Sequence, residues 1–230
     1  MQPWIGMSRT EPCGGGRRRS GLPRPATRRH ALAGGLLLGM LAGCGGGPGR
    51  VAPPSIDAES AAAAALERYD ANRDGALDET ELAGCPGMLA NRAAYDADQN
   101  GRIDEAEIVA RLQDLLRHDV GLTQLKCRVR YRGRPLAGAE VLLEPEPYLG
   151  DQVQPARGST DADGSAQLSI PAEALPADLQ RLRAVHFGTF KVRVTHPRID
   201  LPEKYHAATE LGYETQAGNP FLDLDLTDRS

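Results

Sequence analysis

The sequence predicts an α+β chain divided along its length, an all-α part followed by an antiparallel β-sandwich, and three observations carry that prediction. Asp57 to Tyr69 is alanine-rich with strong helix propensity, and Ile108, Leu112, Leu115 and Leu116 recur at helical spacing. Between those runs lie two short loops in which acids and amides recur at every second position. After Thr123 the period changes to two: Leu125, Cys127, Val129 and Tyr131 alternate with Lys126, Arg128, Arg130 and Arg132, as in a half-buried strand.

The 230 residues, 40% hydrophobic and 25% charged, allow one or two globular domains once a processing segment is removed. That segment is read over residues 1–43. Arg9, Arg17, Arg18, Arg19, Arg24, Arg28 and Arg29 stand against the single acid Glu11, and Ala31 to Gly43 is apolar but too short for the roughly 20 residues that span a bilayer. It ends Leu41-Ala42-Gly43-Cys44 and is followed by Gly45-Gly46-Gly47-Pro48-Gly49, which cannot continue a packed helix. This stretch resembles a bacterial lipobox. The resemblance implies cleavage before Cys44, lipid on its sulfur, a flexible tether over 44–56, and an exported protein anchored to a bacterial membrane on the periplasmic side or at the outer membrane. Thr27-Arg28-Arg29-His30-Ala31-Leu32 also resembles a twin-arginine motif, so the export route stays open between the general and twin-arginine pathways.

Loss of the leader removes seven of the 27 basic residues and one of the 31 acids, leaving 20 against 30, a formal charge of −10. No basic face suits nucleic acid. The only tryptophan, Trp4, leaves with the leader.

The all-α part is expected over 57–120. Ser60 or Asp57 is available to cap the incoming helix of the first loop, and the helix leaving the second loop should end near Gly121. The first loop is Asp70, Asn72, Asp74, Gly75, Ala76, Asp78 and Glu81; the second is Asp96, Asp98, Asn100, Gly101, Arg102, Asp104 and Glu107. Both fit D-x-[DN]-x-[DN]-G-x5-E without exception. A calcium-sized cation needs six to eight oxygens, and positions 1, 3, 5, 7, 9 and 12 supply them, with Ala76 and Arg102 contributing main-chain carbonyls. Gly75 and Gly101 stand where the loop turns sharply. Leu77 and Ile103, at position 8 of each loop, are expected to pair as a short antiparallel bridge. The region resembles an EF-hand pair, which implies two Ca²⁺ ions and would bring the mature charge from −10 to −6. Gly84, Cys85, Pro86 and Gly87 leave little room between the loops. The first outgoing helix should stop near Leu82 or Ala83, and a short incoming helix should run from Met88 to Tyr95, giving a compact pair unsuited to large opening motions.

The β-sandwich is expected over 121–230. Further strands are predicted at Ala139–Leu143, Ala166–Ile170, Phe190–Val194, Leu211–Thr215 and Phe221–Leu226, separated by turns rich in Gly, Pro and Asp. The segments Tyr131-Arg-Gly-Arg-Pro-Leu-Ala-Gly-Ala-Glu-Val141 and Gly158-Ser-Thr-Asp-Ala-Asp-Gly164 resemble carboxypeptidase-regulatory-like and transthyretin-like (prealbumin-like) domains. Asp161 and Asp163 read as turn residues, since no glutamate closes a third calcium loop. Ring-opening dioxygenases of similar fold use a His-x-His strand, and transthyretin-like hydrolases end in Tyr-Arg-Gly-Ser. Here His186 and His196 stand alone and the chain ends Thr227-Asp228-Arg229-Ser230, so no catalytic activity is expected.

Cys13 leaves with the leader and Cys44 takes lipid, which makes Cys85 and Cys127 a candidate disulfide in an exported protein, against two separate buried thiols. The expectation is a membrane-anchored, calcium-binding lipoprotein acting as a structural module or binding a protein partner. A calcium sensor, and an enzyme whose site is not recognisable, are the alternatives.

Overall fold

The computed structural model describes residues 53–117 and 121–228. The predicted leader over 1–43, Cys44 and the tether up to residue 52 lie outside the described residues; the helix expected to end near Gly121 stops earlier, at Leu116, with Arg117 as its C-cap. The tether's last residues run beside the 3₁₀ turn Pro147–Gln152, where the Ser55 hydroxyl donates to Gln152 Oε1 at 3.4 Å.

Helix α1 (Ala58–Tyr69) begins where Asp57 accepts the Ser60 N–H at 2.7 Å, the N-cap that its sequence offers. Its buried face is Ala58, Ala61, Ala62 and Ala65. Such small side chains let it lie close against the later helix α5. Strand β1 (Ala76–Leu77) leads into α2 (Glu79–Leu82), and one-turn helices α3 (Pro86–Leu89) and α4 (Arg92–Tyr95) follow. The single helix expected from Met88 to Tyr95 is thus two separate turns, broken between Leu89 and Arg92. Strand β2 (Ile103–Asp104) pairs antiparallel with β1, Leu77 opposite Ile103 as expected, and both side chains are fully buried. Helix α5 (Glu105–Leu116) buries Ile108, Leu112 and Leu115, one stripe at helical spacing.

The second half contains β3 (Leu122–Thr123), β4 (Leu125–Tyr131), β5 (Arg134–Pro135), β6 (Glu140–Pro145), β7 (Ala156–Ser159), β8 (Ser165–Leu168), β9 (Val185–His186), β10 (Gly188–Thr195), β11 (Gly212–Thr215) and β12 (Phe221–Leu226). One four-stranded sheet has the order β11-β10-β6-β7 and is antiparallel throughout. In the other, β4 pairs antiparallel with β8 through its first half and with β5 through its last two residues. Along its remaining side β4 pairs with β12, and here the antiparallel expectation is corrected: the two run parallel, Cys127 opposite Leu222 and Val129 opposite Leu224. The physical reason is a crossover. Residues 216–220 carry the chain from β11 in one sheet to β12 in the other, so β12 enters alongside β4 without a hairpin. The basic row of β4 then faces acids on β12: Arg130 donates twice to Asp225, at 2.5 and 2.6 Å, and Arg128 lies 3.9 Å from Asp223.

One contiguous buried cluster runs through both halves, from Ala62, Leu82, Met88 and Tyr95 to Val141, Phe190, Val192 and Leu224, and all the described residues fall in one compact unit. Among the described residues no helix is long and apolar enough to cross a membrane. The candidate disulfide is also corrected, because Cys85 and Cys127 are both buried free thiols. Cys127 points inward from β4 between Ala166 and Leu222, whereas Cys85 precedes α3 and lies near Glu146, so each sulfur has its own surroundings in the core. Burial raises both thiols, Cys127 to about 11 and Cys85 further.

Candidate metal centre

Each acidic loop is closed by the helices on either side of it. Asp70 is the C-cap of α1 and Asp96 that of α4, so the first acid of each loop is placed by the preceding helix. At the other end the ninth and twelfth loop residues form a capping box. Asp78 accepts the Glu81 N–H at 3.0 Å while Glu81 accepts the Asp78 N–H at 3.0 Å. Asp104 and Glu107 repeat this at 2.9 and 3.0 Å. The glutamate's other oxygen reaches back across the loop. Glu81 Oε1 accepts from Ala71 at 2.9 Å and Asn72 at 3.2 Å, and Glu107 Oε1 accepts from Ala97 at 2.8 Å. The twelfth residue is thereby drawn over the first three.

The loop interior is built from backbone N–H groups turned onto the same acids. Asp70 accepts from Arg73 at 2.6 Å, Asp74 at 3.2 Å and Gly75 at 2.9 Å, and Asp96 Oδ2 accepts from Gly101 at 3.0 Å. Gly75 and Gly101 have φ of 86° and 85°, the left-handed conformation that each loop's sharp bend requires.

The two loops differ in what they leave open. In the second, ligand-type oxygens of Asp96, Asp98 and Glu107 lie within 4.8 Å of one another, and no other acid, His or Cys cluster of three or more among the described residues is drawn together in this way. Asp96 Oδ1 is buried and has no hydrogen-bond partner, a position that costs free energy unless a cation or water completes it. Asn100 and Asp104 stand on the same loop, and the Arg102 carbonyl occupies its seventh position. In the first loop Asp70, Asn72, Asp74, Asp78 and Glu81 occupy the corresponding positions, with the Ala76 carbonyl at the seventh, but the Arg102 side chain crosses from the second loop and hydrogen-bonds Asp74. Burial acts to raise the Asp74 carboxyl. The Ala76 N–H and the Arg102 guanidinium outweigh it and hold the group below its usual range.

Chemically, the second loop can receive a hard, oxygen-seeking cation with three carboxylates already facing one point. The first can do so by displacing a guanidinium. His186 and His196 are absorbed locally: His186 Nδ1 accepts the Gln154 N–H at 3.1 Å, and His196 Nδ1 accepts from Arg198 and Ile199 at 3.1 and 3.0 Å.

Reasoning from sequence missed the polar groups under the loops. Glu146 is fully buried between α3 and the sheet, accepting from the Gly87 N–H at 2.9 Å and the Tyr69 hydroxyl at 3.1 Å, with Lys191 Nζ at 3.8 Å. Glu214 on β11 is buried in a salt bridge with Arg111 on α5. The one available signal was Arg111 itself, a charge within the apolar stretch of a helix. The chain matches no protein-family model, no curated protein and no solved structure.

Proposed function

We propose that this chain is an exported calcium-binding lipoprotein, an EF-hand pair seated on a transthyretin-like β-sandwich. It is held at a bacterial membrane by lipid on Cys44 and serves as a structural or partner-binding module without catalysis of its own. The observation that carries the calcium reading is the buried, unpartnered Asp96 Oδ1 beside Asp98 and Glu107, within a loop whose sequence fits the calcium pattern at every position. The ligands are Asp96, Asp98, Asn100, the Arg102 carbonyl, Asp104 and Glu107 in the second loop. In the first they are Asp70, Asn72, Asp74, the Ala76 carbonyl, Asp78 and Glu81. Bound calcium supplies positive charge to loops that each place four carboxylates at ligand positions, and so offsets repulsion that opposes the compact state.

Calorimetry on metal-stripped protein tests this. The expected result is two ions per chain, with one lost in Glu81→Gln and the other in Glu107→Gln; fewer than one ion in the intact protein rejects the reading. Anchoring is tested separately by detergent partitioning. Wild type is expected in the detergent phase and Cys44→Ala in the aqueous phase, because acyl chains contribute about 0.8 kcal/mol per buried methylene. Equal aqueous partitioning of both would reject lipidation.

A further inference from the structure

The residue before each acidic loop is a tyrosine, and both tyrosines cross the same seam. Tyr69 precedes Asp70, and its hydroxyl donates to the buried carboxylate of Glu146, which follows β6 directly. Tyr95 precedes Asp96, and its hydroxyl lies 3.4 Å from that of Tyr148, which in turn lies 2.6 Å from Thr189 Oγ1 on β10. Four residues beyond Glu107, Arg111 bonds Glu214 on β11 and also donates to Gln216 at 3.2 Å. The connector between the loops lies on the same sheet. Its Gly87 N–H also donates to Glu146, and a Cβ on Gly87 would come within 2.9 Å of the Phe190 nitrogen. On the facing strand a Cβ on Gly212 would fall 1.7 Å from the Pro86 carbonyl oxygen. The helical layer therefore meets the sheet through backbone in close approach and through three polar links, each one to four residues from a loop acid.

We infer that this seam couples cation occupancy of the loops to the order of the β6–β10–β11 face, with Tyr69, Tyr95 and Glu146 as positioning residues. The inference rests on the calcium reading above. A shift of Asp70 or Asp96 passes through a single peptide bond to a tyrosine whose hydroxyl is bonded just beyond β6, at Glu146 or at Tyr148, so the loop geometry that accepts an ion and the docked seam are favoured together. Two equilibria that favour one state are linked reciprocally: whatever calcium contributes to docking, docking returns to calcium affinity by the same factor. Residues that touch no ion then change ion binding.

The experiment uses the mature-length chain with Cys44→Ala, comparing the parent with Tyr69→Phe, Tyr95→Phe and Glu146→Gln, each close in shape to the original. Tyr213→Phe serves as control, because it removes a hydroxyl bonded to Asn219 and Phe221 instead of one at the seam. Calcium calorimetry and amide hydrogen exchange are read on the same samples. The expected result is that calcium slows exchange in β10 and β11 of the parent. The three seam variants should lose about fivefold in calcium affinity together with part of that protection, the size of an ordinary coupling between sites, and the control should change in neither. Normal calcium uptake with exchange in β10 and β11 unaffected by calcium overturns the inference and leaves the calcium reading standing. Parent-like affinity and protection in all three variants do the same. Absence of calcium uptake overturns both.

Discussion

Glu146 is a carboxylate in a place where the charged form is disfavoured. Burial raises its pKa above the ordinary 4.5, while the Gly87 N–H, Lys191, the Tyr69 hydroxyl and the Cys85 thiol act in the opposite direction without cancelling the rise. The folded state thus holds this proton more tightly than the unfolded chain. The stabilisation is fully present below the unfolded pKa and is lost as pH rises through the folded one. Asp225 and Asp228 have the opposite sign: hydrogen bonds from Arg130 and Arg132 lower them, so their contribution is present at higher pH and lost on acidification. Chemical denaturation from pH 4.5 upward is expected to show a declining component in wild type that Glu146→Gln lacks. Arg102 offers a second residue-level outcome. Under the calcium reading, Arg102→Ala keeps the seventh-position carbonyl but frees Asp74, and calorimetry should show calcium affinity at the first loop rising about twofold to fivefold, as expected for loss of a competing exposed pair. Unchanged affinity would mean that Arg102 does not compete with the ion.

Between elements, α5 and β11 are joined by a salt bridge in which the Glu214 side chain is fully buried and that of Arg111 is 13% exposed. Removing only the cation strands a buried carboxylate, so Arg111→Met is expected to destabilise the fold by about 3–5 kcal/mol. Adding Glu214→Leu should recover most of that loss, because an apolar pair avoids the desolvation of both charges. Urea titration of the single and double variants decides between this and a simple packing role, in which the double variant would be no better than the single. The contact of α3 with β11 is steric. Gly212→Ala must push the Pro86 carbonyl away from the strand, and a loss of about 3 kcal/mol is expected, at the upper end for one added methyl in a filled core.

For the whole molecule, a core cluster continuous from α1 to β12 argues that the helical and sheet halves unfold together. Under the calcium reading, one melting transition is expected, reported alike by far-ultraviolet circular dichroism and by tyrosine fluorescence. It should move down on chelation and up with excess calcium, since a ligand bound only by the folded state raises its stability by mass action. Two separated transitions, only one of them sensitive to calcium, would make the halves independent modules.

Much of this was determined by the sequence because the signals are local. Asp57 as N-cap, the glycines at positive φ, the Leu77–Ile103 bridge, and the strands Leu125–Tyr131 and Phe221–Leu226 all rest on spacing or on turn chemistry within a few residues. Strand β7 was not legible, because Ala156-Arg-Gly-Ser159 lacks the β-branched and aromatic residues that announce a strand, and its pairing with β6 creates it. The parallel entry of β12, the separation of Cys85 from Cys127, the reach of Arg102 to Asp74 and the burial of Glu146 and Glu214 depend on which distant segments meet. Glu146 stands between Pro145 and Pro147 and reads in sequence as an exposed loop acid; the helical layer packed on the sheet, with Gly87 and Tyr69 against the carboxylate, removes it from water. A carboxylate's neighbours along the chain place its backbone, and its environment is made by residues, here Tyr69 and Gly87, some sixty to eighty positions away.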